Sequence, residues 1–353
     1  MTDMMNTAAK YSDEINGLLA GLRARVDEID PDGAMSDLRI FLSYSLRLAE
    51  NPQLLRREPT DMASVRDKVA QVAQFTQHVA YTAKQKSAPK PDAEWMAFTA
   101  KLYGEAWAVF DRDRYLANSD LFKRRFVANG IDLDLFKGAS CLDFGCGTGR
   151  NCLAMARLGA EQVTGVDLSE GNIANATQYL EVYPEYSKIG LVNANVYEHF
   201  AGKESLFDFV VAQGVLQTMP SPDEALALIH RVLKPGAKAF IYFFGESEKG
   251  ILWDVAKTWR HLLKPVPLEV TKTALLMLNA NQGDIFNLLD FAYVPHQHHW
   301  PREKFEASIK KAGFSGIAPL LRGENYDAHQ RILDYPWEKN FWGDFDLRYF
   351  LTK

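Results

Sequence analysis

"LDFGCGTGRN" (residues 142–151) is the stretch from which the rest of the chain can be read. Gly145, Gly147 and Gly149 stand at alternate positions, after a short apolar run that carries an acid, Asp143. Glycines this close together let a loop turn tightly and bring its backbone against a small ligand. A dinucleotide loop asks for G-x-G-x-x-G, with the third glycine inside the following helix. A nucleoside-triphosphate loop asks for Lys-Ser or Lys-Thr after the last glycine. Here the spacing is G-x-G-x-G and Arg150-Asn151 follows. Neither phosphate pattern fits. The residues suit a ligand with a cationic amino acid portion and no phosphate. Asp143 offers a carboxylate to an ammonium or sulfonium charge, and Gly145, Cys146, Gly147 and Gly149 form the loop that meets the ligand.

Outward from this loop, short apolar runs alternate with helical patterns: CLDF, NCLAMARLG, QVTGVD, EGNIANATQYLEVY, IGLVNA, FDFVVA, SPDEALALIHRVL and KAFIYFF. Such alternation predicts a parallel sheet with helices on both faces. Ligands of these sheets sit at the carboxyl ends of the strands. Asp167 ends the second strand run, eighteen residues after Gly149. An acid there suits the hydroxyls of a ribose. A ribose joined to an amino acid cation points to S-adenosylmethionine.

With these motifs in order, "CLDFGCGTGRN…VTGVDLSEGNIANA…FDFVVAQGVLQTMPSPDEALALIHRVLKPGAKAFIY" resembles the class I S-adenosylmethionine-dependent methyltransferases of the type 11/12-like group, over roughly residues 139–245. The resemblance implies a Rossmann-like α/β fold with a seven-stranded, mostly parallel sheet flanked by helices. Its last strand is antiparallel, and the terminal DLRYFLTK would supply it. The resemblance also implies that Asp143, Gly145 and Gly147 surround the methionine portion, Asp167 holds the ribose and Leu168 packs on the adenine. After the third strand, relatives carry an Asp toward the adenine amino group. Here Asn195 stands in that place, able to accept the same bond without charge, and the Val196 amide would meet the ring. Gln213 ends the fourth strand, at the boundary between cofactor and substrate. Where many relatives then show a histidine pair, this chain has Gln217 and Thr218.

Residues 290–314, "DFAYVPHQHHWPREKFEASIKKAGF", are similar to a Tyr-x-Pro…His segment in a subset of that family. They bring Tyr293, His296, His298 and His299 forward as candidate base or substrate contacts. In an extended segment His296 and His298 point to one side. A polar loop with a packing histidine is the alternative, and no metal is expected there. Methyl transfer is an in-line displacement that proximity and alignment can drive. A base is needed only where the accepting atom carries a proton.

The rest of the 353 residues divides by composition. Residues 1–84 read as an N-terminal all-helical region, with Ile15, Leu18, Leu19, Leu22 and Val26 on one face. "KQKSAPKPDAE" marks a linker at 85–94, and 95–353 reads as the methyltransferase domain. Inside it, 247–292 is a helical insertion before the last strands, placed as a lid, with Trp253, Trp259, Leu275, Met277 and Phe286 as core or pocket. The net charge is −5, which argues against a nucleic-acid binder. The longest apolar run, AFIYFFG, is far short of the roughly 20 residues that span a bilayer. The three cysteines form no C-x-x-C pair. The expectation is a cytoplasmic enzyme that methylates O or N on a small or medium organic substrate, with a homodimer through the N-terminal helices. The alternatives are an inactive cofactor-binding regulatory protein and an RNA or protein methyltransferase.

Overall fold

The computed structural model describes residues 2–49, 60–76, 102, 112–246, 251–320 and 346–353. The linker at 85–94 and most of the aromatic-rich stretches at 93–110 and 335–345 lie outside them. In chain order the helices are α1 (Thr2–Ile29), α2 (Ser36–Ala49), α3 (Thr60–Phe75), α4 (Arg112–Ala128), α5 (Arg150–Arg157), α6 (Glu170–Leu180), α7 (Val196–His199), α8 (Pro222–Val232), α9 (Ile251–Leu263), α10 (Leu268–Met277), α11 (Gln282–Tyr293) and α12 (Arg302–Lys311). The strands are β1 (Ser140–Phe144), β2 (Gln162–Asp167), β3 (Ile189–Asn193), β4 (Phe207–Gln213), β5 (Leu233–Phe244), β6 (Gly316–Pro319) and β7 (Asp346–Thr352).

Among the described residues these strands form one seven-stranded sheet in the order β3-β2-β1-β4-β5-β7-β6. The first five are mutually parallel, and β7 runs antiparallel between β5 and β6. The strand order reverses between β1 and β4, the switch point beyond whose strand ends ligands of such sheets bind, and the glycine loop leaves β1 there. β4 is apolar almost throughout because both of its faces are covered. Val210 and Ala212 pack with Leu142, Phe144, Ile241 and Phe243 on one side, against Leu226 and Ile229 of α8 and Phe305 and Ile309 of α12. Phe209 and Val211 pack with Cys141, Val163 and Phe240 on the other, against Phe122 and Phe126 of α4 and Leu153 of α5. Fully burying a side chain of this size contributes about 1.5–3 kcal/mol. Local signals set the helix starts. Ser169 caps α6 by accepting from the Asn172 amide, and Ser221 caps α8 ahead of Pro222, Asp223 and Glu224.

Helices α1–α3 and α9–α11 form a second compact unit, separate from the unit built on the sheet. In α1, Ile15, Leu19, Leu22 and Val26 are buried, and Leu18 is half-buried. In α9, Trp253, Trp259 and Leu262 are buried, as is Leu275 of α10. Phe286 is half-buried, and the Met277 side chain lies outside the description. Arg39 of α2 is 3% exposed and pairs with the fully buried Asp30. Its guanidinium also donates to the Asp30 carbonyl at 2.7 Å and to the Leu262 carbonyl at 3.3 Å. The sequence reading put 247–292 in the methyltransferase domain and 1–84 apart. In the structure α9–α11 group with α1–α3, because α9 buries its apolar face on α1 and α2.

Candidate functional site

The glycine loop is held from behind by its own strand pair. The Gly145 and Cys146 amides both donate to the Val166 carbonyl of β2, at 2.9 and 3.0 Å, and the Gly149 amide donates to the Cys146 carbonyl at 2.9 Å. Gly145, Gly147 and Gly149 all have positive φ, 74°, 52° and 76°, a region that favours glycine. At Gly145 the space is closed as well: a Cβ would lie 2.5 Å from Val215 Cγ2.

Asp167 is the fastener. Its Oδ2 accepts from the Gly147 amide at 2.8 Å. Its Oδ1 accepts from the Ser169 amide at 2.9 Å and from Asn172 Nδ2 at 3.1 Å. A carboxylate takes about four hydrogen bonds, so acceptor capacity remains beyond these three, and the residue is partly exposed. Burial raises its pKa, and the Ser169 and Gly147 amides oppose that shift. Asn193 Nδ2 donates to the Asp167 and Leu168 carbonyls at 3.1 and 3.0 Å, fixing the turn on which Leu168 sits.

Asp143 is fully buried beneath the loop. Its Oδ2 accepts from the Cys152 thiol at 3.5 Å. Its Oδ1 has no partner among the described residues. Burial, the largest cause, pushes this carboxyl up to about 7, against Cys152, Asn151 and Arg150, which favour the ionised form. An orphaned oxygen on a dry carboxyl is costly unless a donor or cation meets it.

The remaining expected residues divide. Asn195 caps α7, its Oδ1 accepting from the Tyr197 amide at 3.0 Å, and Val196 is buried in the core. Gln213 Oε1 lies 3.5 Å from Arg125 Nη1 of α4 at the end of β4. The histidine segment lies against the sheet: the Trp300 amide donates to the Phe244 carbonyl at 3.3 Å, and the His298 amide donates to the Gln217 carbonyl at 2.8 Å. His296 and His298 stack at 6.3 Å, as two residues on one side of an extended segment do. His299 stacks on Phe244 at 5.7 Å. His298 is half-buried, and burial lowers its pKa while the Met219 backbone raises it. Its Nε2 has no partner among the described residues.

Tyr293 belongs to the helical unit. It ends α11, where its hydroxyl donates to the Val266 carbonyl at 2.9 Å and meets the Thr271 hydroxyl at 2.6 Å. Burial raises its pKa well above the ordinary phenol range. The phenol is therefore committed to packing bonds within its own unit. No group of three or more His, Cys, Asp or Glu with metal-site geometry occurs among the described residues.

Residues 142–241 match the family model of a methyltransferase domain. Those residues thus carry a methyltransferase domain. It is similar to the ubiquinone biosynthesis O-methyltransferase of Aromatoleum aromaticum, 31% identical over 37% of this chain and 54% of that one. It is also similar to phosphoethanolamine N-methyltransferase 2 of Caenorhabditis elegans, 28% identical over 48% of this chain and 36% of that one. It thus spans about a third to a half of these relatives' lengths. Among solved structures, it is similar to the 1,6-didemethyltoxoflavin-N1-methyltransferase of Burkholderia thailandensis, with a TM-score of 0.43 at 16% identity over 77% of this chain and 94% of that one. The residues at the loop fit S-adenosylmethionine: a buried carboxyl oxygen lacks a partner among the described residues, under a backbone already folded into a cradle. Asn172 and Asn193 escaped the sequence reading, and Gln217 is named there only as standing, with Thr218, in place of a histidine pair. Only Ser169, a helix-start signal beside Asp167, hinted at the first of them.

Proposed function

We propose that this chain transfers a methyl group from S-adenosylmethionine to an oxygen or nitrogen of a small or medium organic substrate. The observation that carries the reading is the orphaned Oδ1 of Asp143 under the glycine loop. Asp143 would face the cationic methionine portion, Gly145, Cys146, Gly147 and Gly149 would bring backbone against it, and the spare acceptor capacity of Asp167 would take a ribose hydroxyl. Leu168, Val196, Asn195 and Gln213 would line the remainder. The cofactor supplies an electrophilic methyl on a sulfonium. The chain's own part is to align the acceptor with that methyl, exclude water and take up any proton released. His298 is the preferred proton acceptor, because burial favours its neutral form; His296 and His299 would flank the substrate. Tyr293 would act only through the packing of α11.

Calorimetry with S-adenosylmethionine and its demethylated product tests the reading. Binding of both with micromolar affinity is expected, and binding of neither sinks it. Binding without turnover of any metabolite in an extract would instead mark a regulatory protein. No helix among the described residues is long and apolar enough to cross a membrane. We place the enzyme in the cytoplasm, acting without nucleic acid. Exposed Phe41, Leu48 and Phe75, with the Phe41 and Phe75 rings 5.2 Å apart, support association of two copies through the N-terminal helices. Light scattering that returned a monomer mass would remove that last point.

A further inference from the structure

Asp143 of β1 stands in register with Gly165 of β2. Partners in register share a face of the sheet, so the missing side chain at 165 leaves a slot beside the carboxyl. Two sulfurs fill it: a Cβ at Gly165 would lie 2.8 Å from Cys152 Sγ and 3.1 Å from Cys146 Sγ. The two thiols hydrogen-bond to each other. Cys146 also reaches the Gly147 carbonyl at 3.8 Å, and Cys152 donates to Asp143 Oδ2 at 3.5 Å. Asp143 and Cys152 are both fully buried, which shields that bond from water. Neither thiol has a part in the methyl-transfer reading. Both keep their hydrogens where the carboxyl titrates. The Cys152 bond favours the Cys146 thiolate, yet burial, Asp167 and Asp143 push the Cys146 thiol up to about 11. The Cys146 bond, burial and Asp143 raise Cys152 well above the ordinary thiol range.

We propose that Cys152 is a positioning residue for the cofactor: its thiol, backed by Cys146, holds Oδ2 of Asp143 so that Oδ1 is turned to the cationic methionine portion. The inference rests on the reading of Asp143 given above and extends it to the group that sets the carboxyl's direction and charge. A donor to the charged form of an acid favours ionisation. Burial is the largest influence on this carboxyl and pushes it up to about 7, and the Cys152 bond leads the influences that oppose burial. Asn151 and Arg150 of α5 oppose it too, while the charge of Asp167 on β2 adds to burial. Removing the thiol therefore leaves a carboxyl that ionises later and is anchored at neither oxygen.

The test takes isotherms of S-adenosylmethionine on the full chain, with no methyl acceptor present, from about pH 5.5 to 8.5, across the window in which the carboxyl titrates. Wild-type affinity should rise through a midpoint near pH 7. Cys152→Ala should move that midpoint upward by about half a pH unit or more, weakening binding about threefold on the acid side. The two curves should converge once both carboxyls are ionised. Cys152→Ser, whose hydroxyl is a stronger donor than a thiol, should keep the midpoint at or below that of the wild type. A cavity acts at every pH alike. An alanine midpoint that stays in place, whether or not binding weakens throughout, therefore overturns the inference and makes the thiol a packing group. A serine midpoint above the wild-type value overturns it as well, and decides the matter if melting curves show that the alanine variant does not fold. Wild-type affinity that is independent of pH overturns the reading of Asp143 together with this inference. Absence of binding overturns the cofactor reading itself.

Discussion

Asp143 and Asp167 are both acids near the ends of neighbouring strands, and their surroundings give them opposite tasks. Asp167 is spent on the loop. Replacing it with alanine strands the Gly147 amide, the Ser169 amide and Asn172. A cost of about 1–3 kcal/mol per stranded buried group is expected, together with loss of cofactor affinity of at least about tenfold. A melting curve and a binding isotherm on Asp167→Ala check the two effects. Unchanged affinity would mean that the loop keeps its shape without the clamp. Asp143 is held in reserve. Its folded pKa is raised from 3.8 to about 7, so between those values the folded chain keeps a proton that the unfolded chain has lost. Stability from this group therefore falls as pH rises through the window. A cation at Oδ1 reverses the preference by favouring the carboxylate. Cofactor binding should release a proton below about pH 7, and affinity should rise with pH until about 7 and then level. Titrations in two buffers of different ionisation enthalpy measure that proton, and Asp143→Asn should abolish it. A pH-independent affinity in the wild type would place the cation elsewhere.

At the scale of elements, the glycine loop and the histidine segment show what could be read in advance. The G-x-G-x-G spacing, the apolar run of β4 and the acid ending β2 are local signals, and each stands where that reading put it. What was not legible depends on contacts between distant residues. The Asn195 cap of α7 is local, Asn with Glu198 three residues on being a helix-start signal, but nothing near Gln217 announces His298, 81 residues later, as its backbone partner. The loop itself makes a sharp prediction. Gly145→Ala places a methyl 2.5 Å from Val215 Cγ2 at a φ of 74°. A loss of about 1–3 kcal/mol in unfolding free energy is expected, along with loss of cofactor binding. Gly190→Ala in β3, with open space around it, should change stability by less than about 0.5 kcal/mol. Equal effects of the two substitutions would rule out a steric role for Gly145. For the histidine segment, His298→Ala should lower turnover by about 10²-fold or more while leaving cofactor affinity unchanged. Because its pKa is lowered, the acid limb of the wild-type rate profile should fall below the usual imidazole value of 6.5. A turnover number retained in His298→Ala would make the segment structural.

At the scale of the molecule, the chain builds its helical unit from separated stretches. Helices α1–α3 precede the sheet in sequence, and α9–α11 leave it after β5, yet they share one interior. Composition alone hides this, because each stretch taken by itself shows an amphipathic face with no named partner. The buried cluster of Trp253, Val255, Trp259 and Leu262 and the Arg39–Asp30 pair bonded to the Leu262 carbonyl make α9 dependent on α1 and α2. Breaking a buried pair of this kind on one side costs about 3–5 kcal/mol, so Arg39→Ala should lower the melting temperature of the helical unit. A truncated chain of residues 95–353, cut where the linker suggests a boundary, should fare worse. It keeps every residue of the glycine loop and of the histidine segment but exposes the apolar face of α9. Such a patch favours aggregation. Solubility and dye binding should show an associating, partly unfolded species, rescued when residues 1–94 are supplied in trans as a separate chain. A soluble 95–353 fragment with one cooperative transition would mean that α9–α11 can bury their faces without α1–α3.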